Sequence, residues 1–115
     1  MKAGNKGLFA GLWAAAFAAI VSLNAAYAQE NHKAEALKHA EAAVEASKAG
    51  NAAGVAEHAE AAKTHAAAAD AEKASEHYKA AVKSLEGAIE HGKMGHADLA
   101  GKSAEEAVTH LKAAP

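Results

Sequence analysis

Eight histidines carry most of the chemistry this chain can offer: His32, His39, His58, His65, His77, His91, His96 and His110. They fall into pairs seven or fourteen residues apart: 32 with 39, 58 with 65, 77 with 91, 96 with 110. Seven residues is about two helical turns, so the members of a pair share one face. One such histidine alone reads as a solvated surface group. Eight of them, in register with a helical period, read as metal ligands, because imidazole is the commonest protein ligand. Residues seven apart on a helix stand about 10 Å apart, too far for one ion bonding at about 2 Å. The ligands of any one ion must therefore come from different helices, or from a histidine plus a carboxylate. No two histidines are four apart on one helix, and neither H-E-x-x-H nor Glu-x-x-His occurs. Zincin and di-iron carboxylate chemistry have no support in the sequence.

Composition narrows the function further. There is no cysteine, which excludes thiolate sites, dithiol redox motifs and c-type haem attachment. Every basic residue is lysine. No clustered positive face is visible, which argues against nucleic acid as a partner. No nucleophile–base arrangement, phosphate loop or open metal triad is visible, so no enzyme is expected.

The first residues read as a targeting segment. Met1-Lys2 and Lys6 precede an apolar run from Leu8 to Leu23, followed by Ala26-Tyr27-Ala28. A basic start, a short apolar segment and small residues at a cleavage position describe a secretory signal peptide over 1–28, cut after Ala28. The apolar run is shorter than the roughly 20 residues a membrane anchor needs. Residues 29–115 then form one histidine-rich domain. Its ten lysines face fourteen acids, a balance that suits holding cations. Tyr78 is its only aromatic residue and alanine fills most of its apolar positions, so a thin core is expected.

The elements that must position the histidines are helices. Ala, Glu and Lys favour helix, and the single proline is the last residue. A first helix carries Leu37, Ala40, Val44 and Ser47, with Ala36 and Ala43 beside them. Gly50-Asn51 stops it, with Gly54 in the same loop region. A second helix carries Val55, Ala59, Ala62 and Ala66. A turn is expected near Asp70, the alternative being one continuous helix from Val55 to His91. A third helix carries Ala74, Tyr78, Ala81, Val82, Leu85 and Ile89, ended by Gly92 and Gly95. A fourth carries Ala100, Ala104, Ala107, Val108 and Leu111. An offset of 45 superposes His32 on His77, Gly50 on Gly95 and Thr64-His65 on Thr109-His110. The expected fold is all-α: an antiparallel up-down four-helix bundle built from two repeated helical hairpins.

On that frame each histidine lies roughly 70–110° from its helix's apolar stripe, always in the same sense. The histidines line the edge of the core. His39, His65, His77 and His110 fall at similar heights, one per helix. They can pair 39 with 65 and 77 with 110, or 65 with 77 and 39 with 110; the hand of the bundle decides. His91, Met94 and His96 gather at the opposite end. Imidazole with thioether suits copper, the thioether favouring Cu(I). Met94 reads equally well as a hydrophobic plug for the bundle end. Glu35 and Glu106 precede His39 and His110 by four residues and read as extra oxygen ligands, orienting partners or plain solvated charges.

Three segments carry a family resemblance: Ala40-Glu41-Ala42-Ala43-Val44, Glu90-His91-Gly92-Lys93-Met94-Gly95-His96, and Ala104-Glu105-Glu106-Ala107-Val108-Thr109-His110-Leu111. In these, and in its exported, cysteine-free character, the chain resembles the small metal-binding protein family of Gram-negative periplasms. The resemblance implies an up-down four-helix bundle that binds several divalent ions, with copper prominent, and that buffers metal in the periplasm. Copper is the expected ion here, with other divalent metals such as nickel or zinc as alternatives. Ala46, Ser84 and Ser103 stand where the repeat or the heptad spacing has room for further histidines. The expected partners are metal ions, with no nucleic acid, no membrane after signal cleavage, and a monomeric state. The competing expectation is a periplasmic chaperone-like or structural bundle whose histidines sense pH, since histidine titrates between about pH 5 and 8.

Overall fold

The computed structural model describes residues 31–115. The expected signal peptide and its cleavage site lie outside the described residues. Four helices follow one another: α1 (His32–Lys48), α2 (Ala52–Glu72), α3 (Glu76–Lys93) and α4 (Ala97–Ala113). The described residues form a four-helix bundle with no strand. None of the helices is long and apolar enough to cross a membrane.

The connections are three residues each, so consecutive helices must turn back on one another. Contacts between their ends agree. His32 opens α1 and faces Glu72, the last residue of α2. Lys93 closes α3 and pairs with Glu60 in the first half of α2, at 3.4 Å. Lys33 donates to the Ala114 carbonyl at 2.7 Å, which brings the start of α1 to the end of α4. Ser47 at the other end of α1 donates to the Ala97 carbonyl at 2.9 Å.

Alanine builds most of the core. α1 buries Ala36, Ala40 and Ala43, and α2 buries Val55, Ala59, Ala62, Ala66 and Ala69. These three- and four-residue steps are one helical face. α3 adds Tyr78, Ala81, Leu85, Ala88 and Ile89, and α4 adds Ala100, Ala104, Ala107 and Leu111. The stripe of α1 is thus centred on its alanines. Leu37 and Val44, which the sequence places at its middle, are half-buried flanks. A small side chain lets helices approach closely but removes little apolar area from water. The largest fully buried side chains are Leu85, Leu111 and Val55. Tyr78 is buried, and its hydroxyl donates to the Pro115 carbonyl at 2.6 Å. Burial, then the charges of Glu72 and Asp70, push the phenol pKa up, which keeps that donor protonated.

The turns correct four expectations. α2 runs on past Asp70 to Glu72, and Lys73–Ser75 is the break. Asp70 holds that turn, because its Oδ1 accepts from the Ser75 amide at 2.9 Å and from Lys79 at 3.4 Å. Those bonds also hold its carboxyl below the usual range. Ser75 caps α3 through the His77 amide, leaving Ala74 outside the helix and excluding one continuous helix from Val55 to His91. Gly54 belongs to the first turn of α2, where its amide donates to the Asn51 side chain.

Gly92 is the fourth correction. It does not stop α3: Gly95, at φ +83°, makes the left-handed turn that follows the helix. Gly92 is helical and buried, and a Cβ there would lie 2.8 Å from the Ala52 carbonyl oxygen and 3.0 Å from Ala56. The glycine lets the end of α3 rest on the start of α2. Gly92→Ala should therefore destabilise the fold by about 1–3 kcal/mol, because the clash is with backbone that cannot move aside. Gly87→Ala is the contrast, since its nearest neighbour is the Ser103 hydroxyl at 3.2 Å, and it should be neutral or slightly stabilising. Urea midpoints of the two variants measure the difference.

Candidate metal centre

The histidines that α1 and α2 present meet along one seam. His32 and His65 approach with Nδ1 to Nδ1 at 3.1 Å. His65 stacks on His39 with ring centroids 5.8 Å apart and planes 3° from parallel. His39 in turn stacks on His58 at 6.2 Å. All four are half-buried. The order along the seam is His32, His65, His39, His58, alternating between the two helices. This is what the seven-residue spacing requires of antiparallel neighbours: two rungs per helix, interleaved.

Carboxylates flank the ladder. Glu35 Oε1 lies 3.9 Å from His39 Nε2, one turn before it on α1. Glu35, His39 and His65 each bring one ligand atom to within 4.8 Å of the others. Glu72 Oε2 lies 3.8 Å from His32 Nε2. That distance is ion-pair reach, beyond a hydrogen bond. Glu72 thus puts a carboxylate at the Nε2 side of His32, while Nδ1 of the same ring faces His65.

The donor set fits a divalent ion. Two nitrogens bound to one ion at about 2 Å each are about 3–3.4 Å apart, and the two Nδ1 atoms already hold that spacing. Imidazole with carboxylate suits zinc, copper and nickel without selecting among them. The Glu35–His39–His65 grouping is wider and needs small side-chain shifts to close on an ion.

The second hairpin is poorer. His77 and His110 face each other across α3 and α4 with centroids 6.0 Å apart. The repeat makes them the counterparts of His32 and His65. The counterparts of His39 and His58 are Ser84 and Ser103. Ser84 contacts Glu106 at 3.3 Å, so Glu106 faces a hydroxyl and not a histidine ring. At the α3–α4 turn His91 and His96 lie 6.4 Å apart. His91 Nδ1 is buried without a hydrogen-bond partner, a lone pair or proton that an ion or a water would satisfy. Met94 is 58% exposed, so it does not plug the bundle end.

Of the two pairings left open by the sequence, the structure selects 39 with 65 and 77 with 110, each within one hairpin. His32 and His58, which the height argument leaves ungrouped, extend the first pair into the ladder. Glu72 was not foreseen. It continues the series His58, His65, Glu72 at steps of seven, and that spacing is the signal that could have found it.

Burial lowers the pKa of His65 below its ordinary 6.5, and the neighbouring His32 and His39 add to the effect while Glu35 opposes it. Above about pH 6.5 the ring is neutral in both folded and unfolded chains. As pH falls, the unfolded chain takes up the proton first, so folded stability declines as pH drops through the folded pKa. The metal-free protein should accordingly have a lower urea midpoint at pH 5 than at pH 7. His65→Gln should flatten that slope.

A family model described as small metal-binding protein matches residues 6–114. The chain belongs to the small metal-binding protein family. Among curated proteins none matches at a significant level. Membership in the small metal-binding protein family agrees with the ladder: a chain of this family presents imidazoles and a carboxylate within reach of one ion. An open depression between α1 and α4, floored by Val44 and Val108, has no histidine in its lining.

Proposed function

We propose that this protein binds divalent and copper ions through histidines on its helix edges and buffers or sequesters them in the periplasm. The observation that carries the reading is the convergence of Glu35, His39 and His65 within 4.8 Å, beside a His32–His65 pair already at ligand spacing. Copper is the favoured ion, because imidazoles suit it, and at the opposite end of the bundle Met94 adds a thioether between His91 and His96 in the chain. Nickel and zinc are the alternatives among imidazole-binding ions. The protein acts as a monomer exported by its N-terminal segment, and the ion is its cargo.

Titration of the protein begun at Gln29 with copper, zinc and nickel tests the reading, with native mass spectrometry for stoichiometry and circular dichroism for helicity. The expected result is discrete metal adducts, copper strongest, with helicity kept or raised. Binding no tighter than that of an unstructured peptide with the same histidine content would overturn it.

A further inference from the structure

The ladder on the α1–α2 seam has an unequal number of rungs and pairings. Its four histidines make three adjacent contacts: 32 with 65, 65 with 39, and 39 with 58. The two inner histidines, His65 and His39, each take part in two of them. An ion held between His39 and His65, with Glu35, uses both shared rungs and leaves His32 and His58 without a partner. Two ions fit only if the shared rungs part, His65 turning to His32 and His39 turning to His58. The 3.1 Å between the Nδ1 atoms of His32 and His65 shows that the first of these partitions needs little motion.

We propose that the α1–α2 seam is an adjustable one-or-two-ion centre, in which the second ion displaces the first from the middle of the ladder to one end. This rests on the metal-binding reading above and deepens it. The two occupied states use different ligand pairs, so loading is stepwise and the second ion binds more weakly than the first. The two ions end one stacked imidazole pair apart, close enough for their electron spins to couple. No equivalent exists in the second hairpin, where Ser84 and Ser103 stand at the matching positions.

The test uses Cu(II) and a full-length domain in which His77, His91, His96 and His110 are all changed to Gln, leaving the ladder alone. Circular dichroism must first match the parent. Native mass spectrometry should then show two copper ions at saturation. Electron paramagnetic resonance should show an isolated Cu(II) spectrum up to one equivalent, and a half-field transition appearing between one and two. In this background His58→Gln should cut capacity from two ions to one and abolish the half-field signal. As a second arm, the half-field signal should appear in the otherwise unsubstituted protein and vanish on His58→Gln there. A saturating stoichiometry of one, or two ions with uncoupled spectra throughout, overturns the proposal while leaving metal binding intact. Failure of the unsubstituted protein to bind copper at all overturns the metal-binding reading itself.

Discussion

Leu85→Ala should lower the midpoint of thermal unfolding by about 10–30 °C, and should leave the metal-free protein partly unfolded near physiological temperature. Leu85 is fully buried and is one of the three largest fully buried side chains in the bundle. Leu→Ala in a core costs about 2–5 kcal/mol, the value depending on how far the surroundings collapse into the space. Here they cannot collapse far. The core is chiefly alanine, whose side chain has no rotamer to swing into a void. A cost near the upper end of that range compares with a total stability of about 5–15 kcal/mol for a domain. Leu99→Ala is the control. That leucine is 47% exposed, and its loss should change stability by no more than about 0.5 kcal/mol. Added copper should restore part of the Leu85→Ala loss, because a ligand that binds only the folded state stabilises it by about 2.7 kcal/mol at a hundredfold excess over Kd. Differential scanning calorimetry with and without copper reads all three outcomes.

His65→Gln should weaken the tightest copper-binding step by about 10- to 100-fold, or about 1.4–2.7 kcal/mol. His65 is the ligand that competing groupings share: it faces His32 through Nδ1, stacks on His39, and joins Glu35 in the three-residue cluster. Its removal leaves His39 with His58 as the best pair on the seam, at a centroid distance of 6.2 Å. His96→Gln should have a much smaller effect on that step. His96 is exposed, and its nearest imidazole, His91, is 6.4 Å away at the other end of the bundle. Isothermal titration calorimetry at pH 7 separates the two variants. An unchanged first step in His65→Gln would place the tightest site elsewhere in the bundle.

Much of the fold was legible from spacing. The stripe Val55, Ala59, Ala62, Ala66 and the stripe Ala100, Ala104, Ala107, Leu111 are buried as their periods require. The Gly50 and Gly95 turns follow from glycine's access to positive φ. Glycines that serve packing were misread. Gly92 and Gly54 both lie inside helices, where Gly92 lets another helix come close and Gly54 leaves room for the capping side chain of Asn51; a one-dimensional pattern cannot distinguish such glycines from one that bends the chain. The break between α2 and α3 was displaced for a related reason. Nothing in Ala66–Ala71 opposes helix, and the stop is made by Asp70 reaching forward to the Ser75 amide.

The histidines divide along the same line. Their number, their seven-residue intervals and their place on the flank of each apolar stripe follow from the amino-acid sequence, because helical geometry alone converts spacing into a face. So does the requirement that each ion draw on different helices or on a histidine plus a carboxylate. Which helices supply the ligands was decided by the tertiary structure. A flank position can face the neighbour before it or the neighbour after it, and alanine faces are too alike for the sequence to choose. Side-chain packing chose: the end of α3 settles on α2 at Gly92, and Ser47 meets α4 beside Gly101. That arrangement puts His39 beside His65 and carries Glu72 to the end of the ladder.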